Sequence, residues 1–261
     1  MTDIADVVDL DRYPIANPDA PAARALVAKA KARLADPGSF AMPGFIRPQA
    51  LRRMAAEAET LVAEGYRREH TRAPRMPGAM GPRWPRETRA AVTCSGGDRM
   101  APDSTMRAIY RWQPLTDFLG TVFGVIPYYR SADEMVGCML TSYGRGDELG
   151  WHFDPNDGVV TLLVQKAGRG GCFEYAPALP KEDPDRLVAA VDAVMDGVWP
   201  GTRREDQEAG TLALFNGSRA LHRVTPVESE PGRIMLVLSY DSRPGQVFSD
   251  DIRMRFFGRT A

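Results

Sequence analysis

Apolar residues follow two regimes along this chain. Up to about residue 124 they recur at helical spacing, and from Val136 they fall in short β-type runs cut by glycine and proline. Residues 1–18 look extended, because Pro14 and Pro18 discourage a helix. Ala20-Pro21 then places proline at a helix start. Ala22 to Leu34 is rich in alanine, leucine, lysine and arginine, which favour helix until Pro37-Gly38 stops it. Ser39 to Ile46 reads as a short strand and turn. A second helix is expected from Arg47-Pro48 through Glu64, with Leu51, Met54, Leu61 and Val62 near one face. Residues 65–103 are the least regular stretch, where breakers such as Pro74, Pro77, Gly78 and Pro82 mix with cations. Ser104 to Gly124 returns to two helical pieces, with Trp112, Leu115, Phe118, Leu119 and Phe123 expected in the core.

The second regime predicts strands at Val136 to Tyr143, Glu148 to His152, Val159 to Gln165 and Cys172 to Tyr175. A helical insert over Asp183 to Val198 interrupts them, with Leu187, Val188, Val191 and Val194 at helical spacing. Strands resume at Thr211 to Phe215, turn at Asn216-Gly217, pass through Leu221 to Val224, and end in a long run from Arg233 to Tyr240. Gly168-Arg169-Gly170-Gly171 reads as a turn, since no helix with a phosphate-binding lysine follows it. About eight short strands behind a helical segment fit a mainly β class: a double-stranded β-helix, or jelly roll, with N-terminal helices packed outside. At 261 residues this is expected to be one domain, with 1–130 the helical and lid part and 131–261 the jelly-roll core.

Composition narrows the class of partner. A formal net charge of −1 leaves no electrostatic footprint for nucleic acid, and the basic stretch Arg67 to Arg72 is broken by Glu69, as on a solvated face. Cys94, Cys138 and Cys172 have no close spacing, so neither a disulfide framework nor a zinc knuckle is expected. Reduced thiols, an acidic start without signal-peptide character and the lack of a long apolar run imply a cytoplasmic protein without a membrane partner.

The chemistry-bearing residues are few. His152 and Asp154 flank Phe153 at the end of a predicted strand, and His222 follows seventy positions later. Residues i and i+2 of a strand share a face, so His152 and Asp154 point inward together while Phe153 points away. A His-x-Asp pair with a distant histidine, expected on a strand across the barrel, is the 2-His-1-carboxylate pattern of non-haem Fe(II) sites. Arg233 opens the last apolar strand, where an unpaired charge is too costly to bury. A planar guanidinium there calls for a carboxylate partner, either a core acid or a bound anion.

Tyr143-Gly144-Arg145-Gly146-Asp147-Glu148-Leu149-Gly150-Trp151-His152, ahead of Asp154, resembles the Fe(II)/2-oxoglutarate-dependent oxygenases, whose prolyl-hydroxylase branch has similar tyrosine, glycine and leucine spacing. The chain is closer to the BesD-like family of free-amino-acid halogenases and hydroxylases. That likeness runs through Leu10 to Pro14, Gly146 to Asp154, His222 to Pro226 and Tyr240 to Gly245, nearly the whole chain. It implies Fe(II) held by His152, Asp154 and His222, 2-oxoglutarate anchored by Arg233 with Tyr143, Thr161 and Gln165 nearby, and dioxygen as oxidant. Halogenases of this type carry a small residue where Asp154 stands, so the likeness implies hydroxylation. It also implies a small substrate, a free amino acid such as lysine or ornithine, with an uncharged amino acid or another small metabolite left open. Arg89 is then expected at its carboxylate, and Glu134, Asp157, Asp133 or Glu174 at its cation. Apart from the likeness, an irregular stretch as long as 65–103 is expected to form a lid over the metal mouth, with disorder as the alternative. Two rivals remain at this level: a zinc-type metallohydrolase, and a jelly-roll binding module without turnover.

Overall fold

The computed structural model describes residues 3–36, 38–73, 86–155, 158–177, 179–181 and 183–261. Its helices start where proline can enter: α1 (Pro21–Ala35), α2 (Pro48–Ala63), α4 (Gln113–Phe123) and α5 (Pro184–Met195) each carry one in their first turn, where the missing N–H has no partner to lose. Helix α3 (Thr105–Arg111) instead opens on Ser104, whose hydroxyl accepts from the Arg107 amide. Helix α6 (Asp250–Phe257) closes the chain.

Eleven strands form one antiparallel sheet among the described residues. In chain order they are β1 (Ser39–Met42), β2 (Tyr66–Arg72), β3 (Thr88–Ser95), β4 (Cys138–Tyr143), β5 (Glu148–His152), β6 (Gly158–Gln165), β7 (Phe173–Ala176), β8 (Arg203–Glu205), β9 (Leu212–Asn216), β10 (Leu221–Val224) and β11 (Arg233–Leu238). Across the sheet they run β1-β9-β6-β11-β4-β3-β5-β10-β7-β8, with β2 also paired to β3. Strand β3 joins the two halves: Ala90 and Ala91 pair with β5, while Thr93 to Ser95 pair with β4. The sheet therefore curls around an interior, as the jelly-roll expectation requires.

Alternation along the strands decides what each face does. Leu140, Leu162, Leu214, Leu236 and Leu238 pack outward against α1, α2 and α4 through Leu34, Met54, Ala58, Leu115 and Leu119. Their neighbours Met139, Thr141, Thr161, Phe215, Met235 and Val237 line the interior. Both faces are covered, so β11 reads as an unbroken aliphatic run rather than an alternation. On the other half, Leu187, Ala190, Val191 and Val194 of α5 cover Trp151, Phe153, Ala176 and Leu221.

Two expectations need correction, and a third lies outside the described residues. The irregular stretch 65–103 holds two strands, β2 and β3, paired in continuous register from Tyr66↔Cys94 to Arg72↔Thr88. Polar residues on both faces of β2 had erased the alternation that marks a strand. Residues 74–85, which the lid expectation needs, lie outside the described residues. Residues 1–18 are not uniformly extended, since Ile4–Asp6 form a 3-10 turn and Val7 and Val8 are fully buried. Strand β8 and helix α6 had no sequence signal strong enough to predict. Among the described residues, no helix is long and apolar enough to cross a membrane.

Candidate active site

His152 is the last residue of β5 and His222 the second of β10, and these strands pair with His152 directly opposite His222. The long sequence separation thus returns the chain to the adjacent strand, not to one across the barrel. The two rings sit 4.1 Å apart between centroids. Asp154 follows two positions after His152, while Phe153 turns outward into the α5 cluster. Its Oδ2 lies 3.1 Å from His222 Nε2, and its Oδ1 lies 3.6 Å from His152 Nε2. One nitrogen from each imidazole and one carboxylate oxygen all fall within 4.8 Å of one another. Two imidazole nitrogens and one hard oxygen suit a divalent first-row metal.

Backbone carbonyls fix how the imidazoles present themselves. His152 Nδ1 donates to Gly150 O at 2.9 Å and His222 Nδ1 to Ala220 O at 3.0 Å. Each ring is thereby left with its Nε2 aimed at the cluster, the second-sphere arrangement that orients metal-ligating histidines. Burial, followed by the neighbouring His222, holds His152 well below the usual histidine pKa. For Asp154 burial pushes upward, but the charge and hydrogen bond of His222, with His152 and Arg72, outweigh it and lower its pKa. A neutral imidazole and an ionised carboxylate are the forms that bind metal. Gly217 makes room for Asp154: a Cβ there would lie 2.4 Å from Oδ2. Its carbonyl also accepts from the Asp154 amide at 3.1 Å.

Arg233 faces the same interior cavity, of about 230 Å³. It is 3% exposed and donates from Nη1 to Gly171 O at 3.1 Å, while Nε and Nη2 have no hydrogen-bond partner. Burial pushes its pKa down to about 10, yet it stays charged at neutral pH. No acid pairs with it among the described residues, so the core salt bridge considered from sequence is not formed there. Two orphaned donors on one planar edge, beside the in-register Tyr143, fit a carboxylate from outside the chain.

The model of the family described as halogenase D matches residues 22–249, most of the chain. The chain belongs to the halogenase D family. No curated protein matches it. Among solved structures, a 2OG-Fe(II) oxygenase-family oxidoreductase from Burkholderia pseudomallei shares 17% identity, with 83% of this chain and 91% of that one covered at a TM-score of 0.52. A prolyl-4-hydroxylase from Pseudomonas putida shares 16% identity over 81% and 96% of the two chains, at a TM-score of 0.51. The epimerase SnoN in complex with Fe3+, alpha ketoglutarate and nogalamycin RO shares 14% over 86% and 88%, at 0.57. At these identities the likeness shows a shared fold, the jelly-roll core of that superfamily.

This halogenase D family member distributes the remaining expected site residues unevenly. Tyr143 and Thr161 line the cavity, and burial raises the Tyr143 pKa to about 12, keeping its hydroxyl protonated. Gln165 does not line it. The register shifts between Ile234 and Met235, and Gln165 donates to Gly232 O at 2.9 Å, tethering the residue before Arg233. Arg89 is engaged by Glu69, Glu148 and the Gly146 carbonyl outside the cavity. Glu134 is exposed and lies near Arg107. Asp133 is locked to Arg253, and Glu174 to Arg223 and Arg204. Asp157 lies outside the described residues. Asp154 is therefore the only carboxylate that lines the cavity among the described residues. Among the lining residues that the sequence did not mark are two cations, Arg68 and Arg72, which project from β2.

Proposed function

We propose that this chain is an Fe(II)- and 2-oxoglutarate-dependent oxygenase that hydroxylates a C–H bond of a small molecule. The observation that carries this reading is the meeting, in one cavity, of the His152, Asp154 and His222 cluster and the half-partnered guanidinium of Arg233. His152 and His222 hold the metal through Nε2, and Asp154 holds it through a carboxylate oxygen. Arg233 receives the distal carboxylate of 2-oxoglutarate on Nε and Nη2. Tyr143 supplies a protonated hydroxyl beside it, and Gln165 steadies the strand start through Gly232. When bound, iron and keto acid supply dioxygen-driven C–H oxidation with release of succinate and carbon dioxide. The apolar walls, among them Phe173, Phe215, Met235 and Val237, exclude water from the reacting carbon.

Membership in a family described as halogenase D raises halide transfer as the second reading. Asp154 speaks against it, because the side chain is present, ionised and accommodated by Gly217. The zinc-hydrolase alternative leaves Arg233 without a role and finds no second acid on the described cavity wall to serve as general base. Anaerobic addition of Fe(II) and then 2-oxoglutarate should produce a weak visible metal-to-ligand absorption band. Turnover with excess chloride should give hydroxylated product alone. Absence of the band would sink the oxygenase reading, and a chlorinated product would sink the hydroxylase assignment.

A further inference from the structure

We propose that the substrate is an organic anion with an apolar body, gripped by Arg68 and Arg72, and not a cationic amino acid. The inference deepens the oxygenase reading and uses it only for what becomes of the molecule once bound. Arg68 and Arg72 lie four residues apart on β2, on one face of the strand, and both reach the cavity wall. The Nε of each is buried without a hydrogen-bond partner. Buried guanidinium donors left open in this way are destabilising unless a ligand completes them. Arg68 is held by stacking on Phe256, its Cζ 4.6 Å from the ring centroid. Burial, then the charge of Arg68, disfavours the Arg72 cation, and Asp154 is the opposing charge.

Charge on the cavity wall points the same way. Arg68, Arg72 and Arg233 face a single carboxylate, Asp154, among the described lining residues. A divalent metal and the doubly charged keto acid cancel each other, so the wall keeps an excess of positive charge that an anionic substrate neutralises. Among the described residues an ammonium group would meet that excess with no acid left to receive it, because Asp154 is committed to the metal and Glu134, Asp133 and Glu174 lie in other networks. The rest of the wall offers Val92, Leu149, Val159, Phe173, Phe215 and Val224. Such a surface rewards a hydrocarbon or aromatic body, and the neutral polar groups beside it, Ser39, Thr141, Thr161 and Gln207, carry no charge to hold an ammonium.

Calorimetric titration of the protein loaded with Mn(II) and 2-oxoglutarate, where no turnover occurs, tests this directly. The probes are two isosteric pairs, 3-phenylpropanoate with 3-phenylpropylamine and hexanoate with hexylamine, together with L-lysine. At least one carboxylate should bind at least about tenfold more tightly than its amine partner and than lysine. Arg68→Gln and Arg72→Gln should each weaken that carboxylate by about tenfold or more while 2-oxoglutarate still binds, which also reports that the variants fold. Arg233→Gln should weaken 2-oxoglutarate and leave the monocarboxylate unchanged. The inference is overturned if neither pair prefers the carboxylate, if lysine binds best, or if the monocarboxylate responds to Arg233 alone. Failure of the unmodified protein to bind 2-oxoglutarate would sink the oxygenase reading instead, and the preference for carboxylate and its arginine dependence would still be measurable.

Discussion

Arg233 discriminates between functions more sharply than either histidine. Two histidines and an aspartate accept several metals for several chemistries, whereas a buried guanidinium with two open donors requires a particular shape of anion. Its truncation gives the first prediction. Arg233→Ala should raise the 2-oxoglutarate requirement by about tenfold to a hundredfold, the range for loss of a charged hydrogen bond, with metal content unchanged on elemental analysis. Unaltered keto-acid affinity would place the anchor elsewhere. At this scale the sequence was informative where chemistry is rare. The chain has three histidines, two of which fall in the cluster, and an arginine opening an aliphatic strand has few explanations. It was uninformative where the evidence is spatial. Arg68 and Arg72 sit in a run with Arg67 and Glu69 that has the composition of any solvated surface. Only the pairing of β2 with β3 turns two of those side chains inward.

Elements contribute by bringing backbone close to the cluster, and the turn between β9 and β10 does this most tightly. Asn216-Gly217 was legible as a turn, but its second role was not, because nothing local records that Gly217 abuts Asp154. Gly217→Ala should drive a methyl group against that carboxylate, where the Cβ would stand 2.4 Å from Oδ2 and 2.8 Å from the Asp154 Cβ. Gly217 is not among the glycines with positive φ, so the effect would come from contact and not from backbone strain. Mn(II) affinity followed by electron paramagnetic resonance should fall by about tenfold or more while the circular dichroism spectrum is retained. Native-like affinity would mean that Asp154 has room to move aside. The helices α1, α2, α4 and α5 were legible because their first-turn prolines and spaced aliphatics act locally. Strand β2 and helix α6 were not, since each draws its stability from the partner it covers, Arg68 stacking on Phe256 being one such contact.

For the molecule as a whole, the site ties together the paired strands β5 and β10, so occupancy of the cluster and stability of the fold are linked. The metal-free protein buries His152 in neutral form, with its pKa held below the ordinary value of 6.5 first by burial and then by His222. The unfolded chain therefore binds more protons than the folded one as pH falls through about 6.5, and stability must decline in that direction. Asp154, lowered from 3.8, adds a further loss of the same sign only in more acid solution. The melting temperature of metal-free protein should thus drop between pH 7.5 and 5.5, and His152→Gln, which has no proton to gain, should flatten part of that drop. An equal decline in the variant would assign the acid sensitivity to other groups. Adding Mn(II) at about a hundred times its dissociation constant should stabilise the native protein by about 2.7 kcal/mol, a rise of roughly 5–10 °C for a chain of this size. His222→Ala should abolish most of that rise, because it removes one ligand and the ring opposite His152 while the outward core of β10, Leu221, remains packed under α5. A shift that survives in His222→Ala would mean that the stabilising ion binds somewhere other than the paired ends of β5 and β10.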